Sequence, residues 1–182
     1  MFNILKKQVA DRGHLCLFCV KLTDILSLAE NLSPEETVEF LLFFLSTYEK
    51  SIRNLGGYLV RSESNCIISE WPDPENKGAI EFITIAQSLL NQKKHLQNWN
   101  SAITTKLPHM VISISRGECI FERQKRNRVQ IYGLILNHVE QIMSFHDGTE
   151  DAIIFDQTLV DSTTAPFSTP LRNNVYILTK KA

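Results

Sequence analysis

At 182 residues, with 43% hydrophobic and 21% charged side chains, the chain suits one globular domain with a sizeable core. Nineteen Lys and Arg against 20 Asp and Glu leave a formal charge of −1, which removes any global electrostatic case for nucleic acid or an anionic membrane as partner. No apolar run approaches the roughly 18 residues of a membrane span, and Lys6 and Lys7 precede no signal-type apolar segment, so the expected address is the cytoplasm.

Residues 1–13 read as an N-terminal segment, either a short helix or a linker, and 14–182 as the domain. Leu15–Val20 is an almost unbroken apolar run, suited to a strand at a sheet centre. It contains Cys16 and Cys19 at C-x-x-C spacing, but three steps along a strand put them on opposite faces. With Cys66 and Cys119 also in apolar runs, buried free thiols in a reducing compartment are expected, not a zinc or redox motif. Leu22–Asn31 reads as a short helix. Ser33–Leu55 is the clearest helix, with Ser33 as N-cap, Pro34 at its first position and Glu35 and Glu36 in the first turn. Its apolar repeat is Val38, Leu41, Leu42, Leu45, Tyr48 and Ile52, and Gly56-Gly57 ends it.

Tyr58–Arg61 and Cys66–Trp71 are expected as a hairpin turning at 62–65, closed by Trp71-Pro-Asp-Pro74. Gly78–Trp99 is expected as a second long helix. Met110–Ser115 and Gly117–Phe121 read as two strands joined at Arg116-Gly117, and Arg123–Arg128 as a basic hairpin tip. Val129–Tyr132 returns as a strand, followed by a helix over Leu134–Phe145, a strand over Asp151–Phe155 and a helical turn over Asp156–Val160. Thr163–Thr169 reads as a loop and Val175–Leu178 as a final edge strand. This order, β-α-α-β-β-α-β-β-β-α-β-β, calls for an α+β sheet with helices packed on one side.

Four local words then stand in a suggestive order: Leu28-x-Glu30-x-Leu32-Ser-Pro-Glu-Glu36, the helix ending in Gly56-Gly57, Ile114-Ser-Arg-Gly117-Glu118, and Tyr132-Gly133-x-x-Leu136-Asn137. Over roughly Leu15 to Asp161 the chain resembles the catalytic domain of class III nucleotidyl cyclases, the adenylate and guanylate cyclases. The resemblance implies a ferredoxin-like α+β fold with a central, mostly antiparallel sheet. It also implies ATP or GTP as substrate, two Mg²⁺ or Mn²⁺ ions, and a site shared between two subunits. Cyclisation needs the ribose 3′-oxygen to attack the α-phosphorus, and hard cations that activate it want carboxylates.

The resemblance places those carboxylates at positions filled here by Lys21 and Asn65. An ammonium repels a metal, and a neutral amide holds one weakly. Asp24 is the nearest carboxylate, a candidate substitute in the turn that follows. The nucleotide-binding positions fall on Arg61 for the base-reading lysine, Gln130 for its partner and Asn137 for the ribose contact. The transition-state arginine falls on Gln141, and a late triphosphate lysine has no certain match among Arg172 and Lys180. Two alternatives stay open for each. Lys21 is either a surface lysine at a strand end or a charge that replaces the metal by pairing with phosphate or with Asp24. Arg61, Gln130 and Asn137 either hold a base and ribose or line an empty groove.

The basic run from Arg123 to Arg128 has no interleaved aromatics and reads as a solvated turn or dimerisation arm. His138, His146 and Asp147 lack the spacing of a metal site. Glu63, Asp73 and Glu75 fall in loops without a positioned partner. The expectation is a catalytically inactive cyclase homology domain that needs no cofactor and works as a homodimer, or as the regulatory half of a heterodimer with another cyclase-type domain. Its dimer groove would use the apolar faces of Cys66–Trp71 and Met110–Phe121. The alternatives are a divergent cyclase active only with a complementary partner, and a metal-independent nucleotide sensor.

Overall fold

A computed structural model describes residues 10–73, 78–99, 107–124 and 128–178. Expectations for residues 2–9, Glu75, the centre of the basic tip at 125–127 and Lys180 lie outside these. The first strand, β1 (Asp11–Leu22), is longer than its apolar run and already begins in the segment read as a linker. It is followed by α1 (Ile25–Ala29), α2 (Pro34–Asn54), and the hairpin β2 (Tyr58–Glu63) and β3 (Cys66–Pro72). Next come α3 (Ala79–Asn91), β4 (Met110–Gln124), β5 (Arg128–Tyr132), α4 (Leu134–Met143), β6 (Ala152–Asp156), β7 (Ser168–Arg172) and β8 (Val175–Leu178).

The strands form one sheet in the order β1-β3-β2-β5-β4-β6-β8-β7, and β1 also pairs with β4 along its whole length. Five strands therefore close into a ring, sealed between β2 and β5 by the single pair Leu59 and Arg128. Pairing is antiparallel except at β2–β5 and β4–β6, the mostly antiparallel sheet that was expected. The unbroken apolar run of β1 follows from its place, since both faces are covered. Cys16, Phe18, Val20 and Leu22 join the core under α2 and α3, and Leu15, Leu17 and Cys19 join a second core under α4.

That second core corrects the expectation of helices on one side only. Ile135, Val139 and Ile142 of α4 are buried on the face opposite α2 and α3. A strand with no polar face needs cover on both sides. Gly117 likewise does not join two strands. It pairs with Leu15 inside continuous β4, and a Cβ there would stand 3.2 Å from the Ile135 side chain. The glycine makes room for α4 instead of turning the chain.

Four smaller corrections follow. In α2 the buried stripe is Phe40, Phe44, Tyr48 and Ile52, whereas Val38 and Leu42 face solvent at 55% and 59% exposure. The helix of α3 gives way at Gln92–Asn98 to a tighter 3-10 turn in which only Leu96 is buried. β8 is not the edge: β7 pairs outside it, and Pro170 is tolerated there because an outermost strand does not need every N–H. Finally, Ile67, Ile68, Ser69, Glu70 and Trp71 are at most 1% exposed, as are Met110 to Ser115. Those stretches fill the chain's own cores, so they are not a dimer groove; within the expected range Ile120 alone is a large apolar side chain left exposed.

The capping reading of α2 is matched closely. Ser33 Oγ accepts from Glu36 N, and Glu36 Oε2 accepts from Ser33 N at 2.8 Å. Gly56 stops the helix at φ 85°, a conformation that favours glycine. No helix among the described residues is long and apolar enough to cross a membrane.

Candidate functional site

The end of β1, the β2–β3 turn and α4 enclose a cavity of about 320 Å³. Lys21 lines it, half-buried at the last inward position of β1 and opposite Cys66 on β3. Asn65 lines it from the turn and is held there tightly. Its Nδ2 donates to the Leu22 carbonyl at 2.6 Å, and its own carbonyl accepts from Leu22 N at 2.9 Å. The turn is sharp, with Ser64 at φ 48°. The two positions that the cyclase resemblance assigns to metal carboxylates therefore do meet in one cavity, as a cation and a neutral amide.

Arg61 lines the same cavity from β2. Its guanidinium is engaged by two carboxylates: it forms an ion pair with Glu140 of α4, and its Nε stands 3.7 Å from Glu63 Oε1. Glu63 and Glu140 also line the cavity, so its charges are two cations facing two anions. Asn137 and Gln141 lie four residues apart on the exposed side of α4, and neither is among the lining residues. Gln130 is exposed on β5 and accepts from Gln124 Nε2 at 3.0 Å. Asp24 is exposed in the left-handed region at φ 57°, and its side chain neither caps α1 nor lines the cavity. Arg172 is exposed on β7. The cavity thus gathers Lys21, Asn65 and Arg61 but not Asp24, Gln130, Asn137 or Gln141.

These residues do not fit a pair of divalent cations. Lys21 brings an ammonium to the cavity, and Asn65, its Nδ2 held by the Leu22 carbonyl, offers only a neutral amide oxygen. Among the described residues no group of three or more His, Cys, Asp or Glu is placed to hold a metal. His138 is instead paired with Asp156, Nε2 to Oδ2 at 3.2 Å, and Asp156 also accepts from Ser115 Oγ at 2.5 Å. His146 Nδ1 accepts from Gly148 N at 2.9 Å.

Three features of this region were not read from the sequence. Glu140 adjoins Gln141 in the chain, but only the helix phase shows that it reaches Arg61. Cys66 directly follows Asn65, and its sulfur lies 3.3 Å from that of Cys19. The hydrogen bond with Cys19, then the charges of Lys21 and Arg61, hold the Cys66 thiol below its usual range, while that contact and burial push Cys19 up. Beyond the cavity, Glu70 is fully buried beside Arg123, at 3.5 Å, with no hydrogen-bond partner for either carboxyl oxygen. Burial pushes it up to about 7 against the partial relief given by Arg123, whose guanidinium lies over the Tyr58 ring. Strand alternation could have flagged Glu70 as inward, but not its lack of partners.

Among solved structures, the adenylyl cyclase CyaB from P. aeruginosa superposes at a TM-score of 0.72, with 18% identity, over 96% of this chain and 97% of that one. The fold is that of the nucleotidyl cyclase catalytic domains. The guanylyl cyclase Cya2 gives 0.71 at 18% identity, covering 93% of this chain and 92% of its own. A dimeric guanylyl cyclase domain of the RhoGC fusion protein from the aquatic fungus Blastocladiella emersonii gives 0.72 at 14% identity, covering 94% and 97%. At these identities the likeness speaks for the cyclase fold alone. No family model matches the sequence, and no curated protein does.

Proposed function

We propose that this chain is a cyclase-fold domain without cyclase chemistry, acting in the cytoplasm by association with a second copy or with another cyclase-type domain. One observation carries the reading: Lys21 and Asn65, at the positions that the resemblance assigns to the metal carboxylates, line one cavity as a cation and a neutral amide. Gln141 in place of the transition-state arginine points the same way, since losing one such charge contact typically costs about 10²–10³ in rate. The test is an assay for cyclic AMP and cyclic GMP with Mn²⁺ and ATP or GTP. The expected result is no product above background, for the chain alone or mixed with an active cyclase domain lacking its own metal carboxylates. Cyclic product abolished by Asp24→Ala would overturn the proposal in favour of a divergent, partner-dependent cyclase.

A second reading is favoured by one specific feature, the joint presence of Lys21 and Arg61 in the cavity. Two cations can hold a nucleotide phosphate without metal, provided that Glu63 and Glu140 release Arg61. A thermal shift with ATP or GTP in the presence of a chelator, weakened by both Lys21→Ala and Arg61→Ala, would establish this sensor role.

A further inference from the structure

The cavity floor holds a pair of thiols that the reading above does not use. Cys19 and Cys66 lie on neighbouring antiparallel strands one diagonal step apart, since Cys19 faces Ile68 while Cys66 faces Lys21. Both belong to the sheet face covered by α4, and their sulfurs are 3.3 Å apart. A disulfide is about 2.05 Å long, so bonding asks for roughly one further ångström of approach. Diagonal strand pairs are otherwise wide for a disulfide, but Cys66 directly follows the tight turn at Ser64 and Asn65, where the hairpin can twist inward. The two thiols also differ in access. Cys66 is half-buried and opens to the cavity, whereas Cys19 is 2% exposed behind it.

We propose that Cys19 and Cys66 form a hydroperoxide-sensitive dithiol that closes to an intrachain disulfide, tying the end of β1 to the β2–β3 hairpin. Cys66 is the attacking thiol. It is the accessible one, and Lys21 and Arg61 favour its thiolate. Its sulfur takes the terminal oxygen of the hydroperoxide; the O–O bond breaks, and the remaining alkoxide or hydroxide leaves with a proton. The resulting sulfenic acid is then attacked by the Cys19 sulfur. The S–S bond forms, the S–O bond breaks, and the hydroxyl departs as water with the Cys19 proton. In total two thiols lose two electrons and one peroxide is reduced. This inference goes beyond the association reading and holds or fails separately from it.

The experiment treats the reduced full chain with hydrogen peroxide, counts free thiols and maps peptides without reduction. The expected result is loss of two of the four thiols, a linked Cys19–Cys66 peptide, and reversal of both by dithiothreitol. Cys66→Ser abolishes the bridge, and Cys19→Ser lets Cys66 advance to a sulfinic acid that dithiothreitol does not reverse. A Cys16→Ser/Cys119→Ser variant keeps the bridge, and it tests the pair even where substitution at 19 or 66 disturbs folding. An unchanged thiol count, a bridge between other cysteines, or linkage only between two chains would overturn the proposal.

Discussion

Asn65 is both a clue to function and a structural fastener, and its two jobs can be separated by substitution. Its Nδ2 donates to the Leu22 carbonyl in a partly buried site. Asn65→Asp keeps the shape but sets a carboxylate oxygen against that carbonyl, so a loss of about 1–3 kcal/mol is expected in chemical denaturation at neutral pH. A chain that needed only a polar turn residue here would show no loss. Glu70 gives a pH-dependent counterpart. Its folded-state value near 7 lies above the ordinary 4.5. Below 4.5 the carboxyl is protonated in both states and carries no penalty. As pH rises from 4.5 to 7 the unfolded chain releases the proton first, so stability falls, and above 7 the full penalty is present. Glu70→Gln is therefore expected to be more stable than the parent by up to about 3 kcal/mol at pH 8, with the difference shrinking to near zero by pH 4. Melting both proteins across that range checks the sign. At this scale the sequence revealed positions better than partners. Lys21 and Asn65 could be placed because a strand end and a turn are local features. The approach of Cys66 to Cys19, and of Glu140 to Arg61, depends on strand register and helix phase, which no local pattern encodes.

Among the elements, α2 shows what local signals do well. Ser33, Pro34 and Glu36 announce its start, and the capping box forms as spelled. Ser33→Ala removes the acceptor for Glu36 N and is expected to cost about 1 kcal/mol by thermal melt, without loss of fold. At the other end, a Cβ on Gly57 would stand 2.6 Å from the Trp71 ring and 2.9 Å from Ile52, both fully packed. Gly57→Ala is accordingly expected to destabilise by about 1–3 kcal/mol, as overpacking does, with changed tryptophan fluorescence as a local report. Gly56 and Gly57 read alike in the sequence, yet one serves backbone conformation and the other serves packing. Gly117 misled for the same reason, and Pro170 lies in a strand on similar terms. Each is a breaker by composition, and each is held inside a strand by what packs beside it or by the free edge it occupies.

For the whole molecule, the association proposal must use surface that the fold leaves over. Ile120 and Tyr132 pair across β4 and β5 at 47% and 45% exposure, and Leu134 beside them is 83% exposed. Sedimentation of the purified chain is expected to show a dimer, or a complex when a cyclase-type partner is added. Ile120→Glu with Leu134→Glu should weaken it while leaving the melting temperature nearly unchanged. A strict monomer with every such partner would remove the basis of the proposal. The α+β class was legible because strand and helix order limits the choices, whereas the mostly antiparallel architecture was legible only through the resemblance to nucleotidyl cyclases. Closure of the sheet was not, because β1 finds β4 through tertiary packing alone.

That closure also sets a timetable. β1 is made roughly a hundred residues before β4, the strand that covers its second edge, a wait of about 5–20 s at ordinary synthesis rates. Through that interval β3 can pair with only one side of a nascent strand that is apolar on both faces. The same feature that gives the finished domain its central strand thus leaves one edge of β1 unpaired until β4 arrives, and a ribosome stalled between β3 and β4 would hold out an aggregation-prone edge.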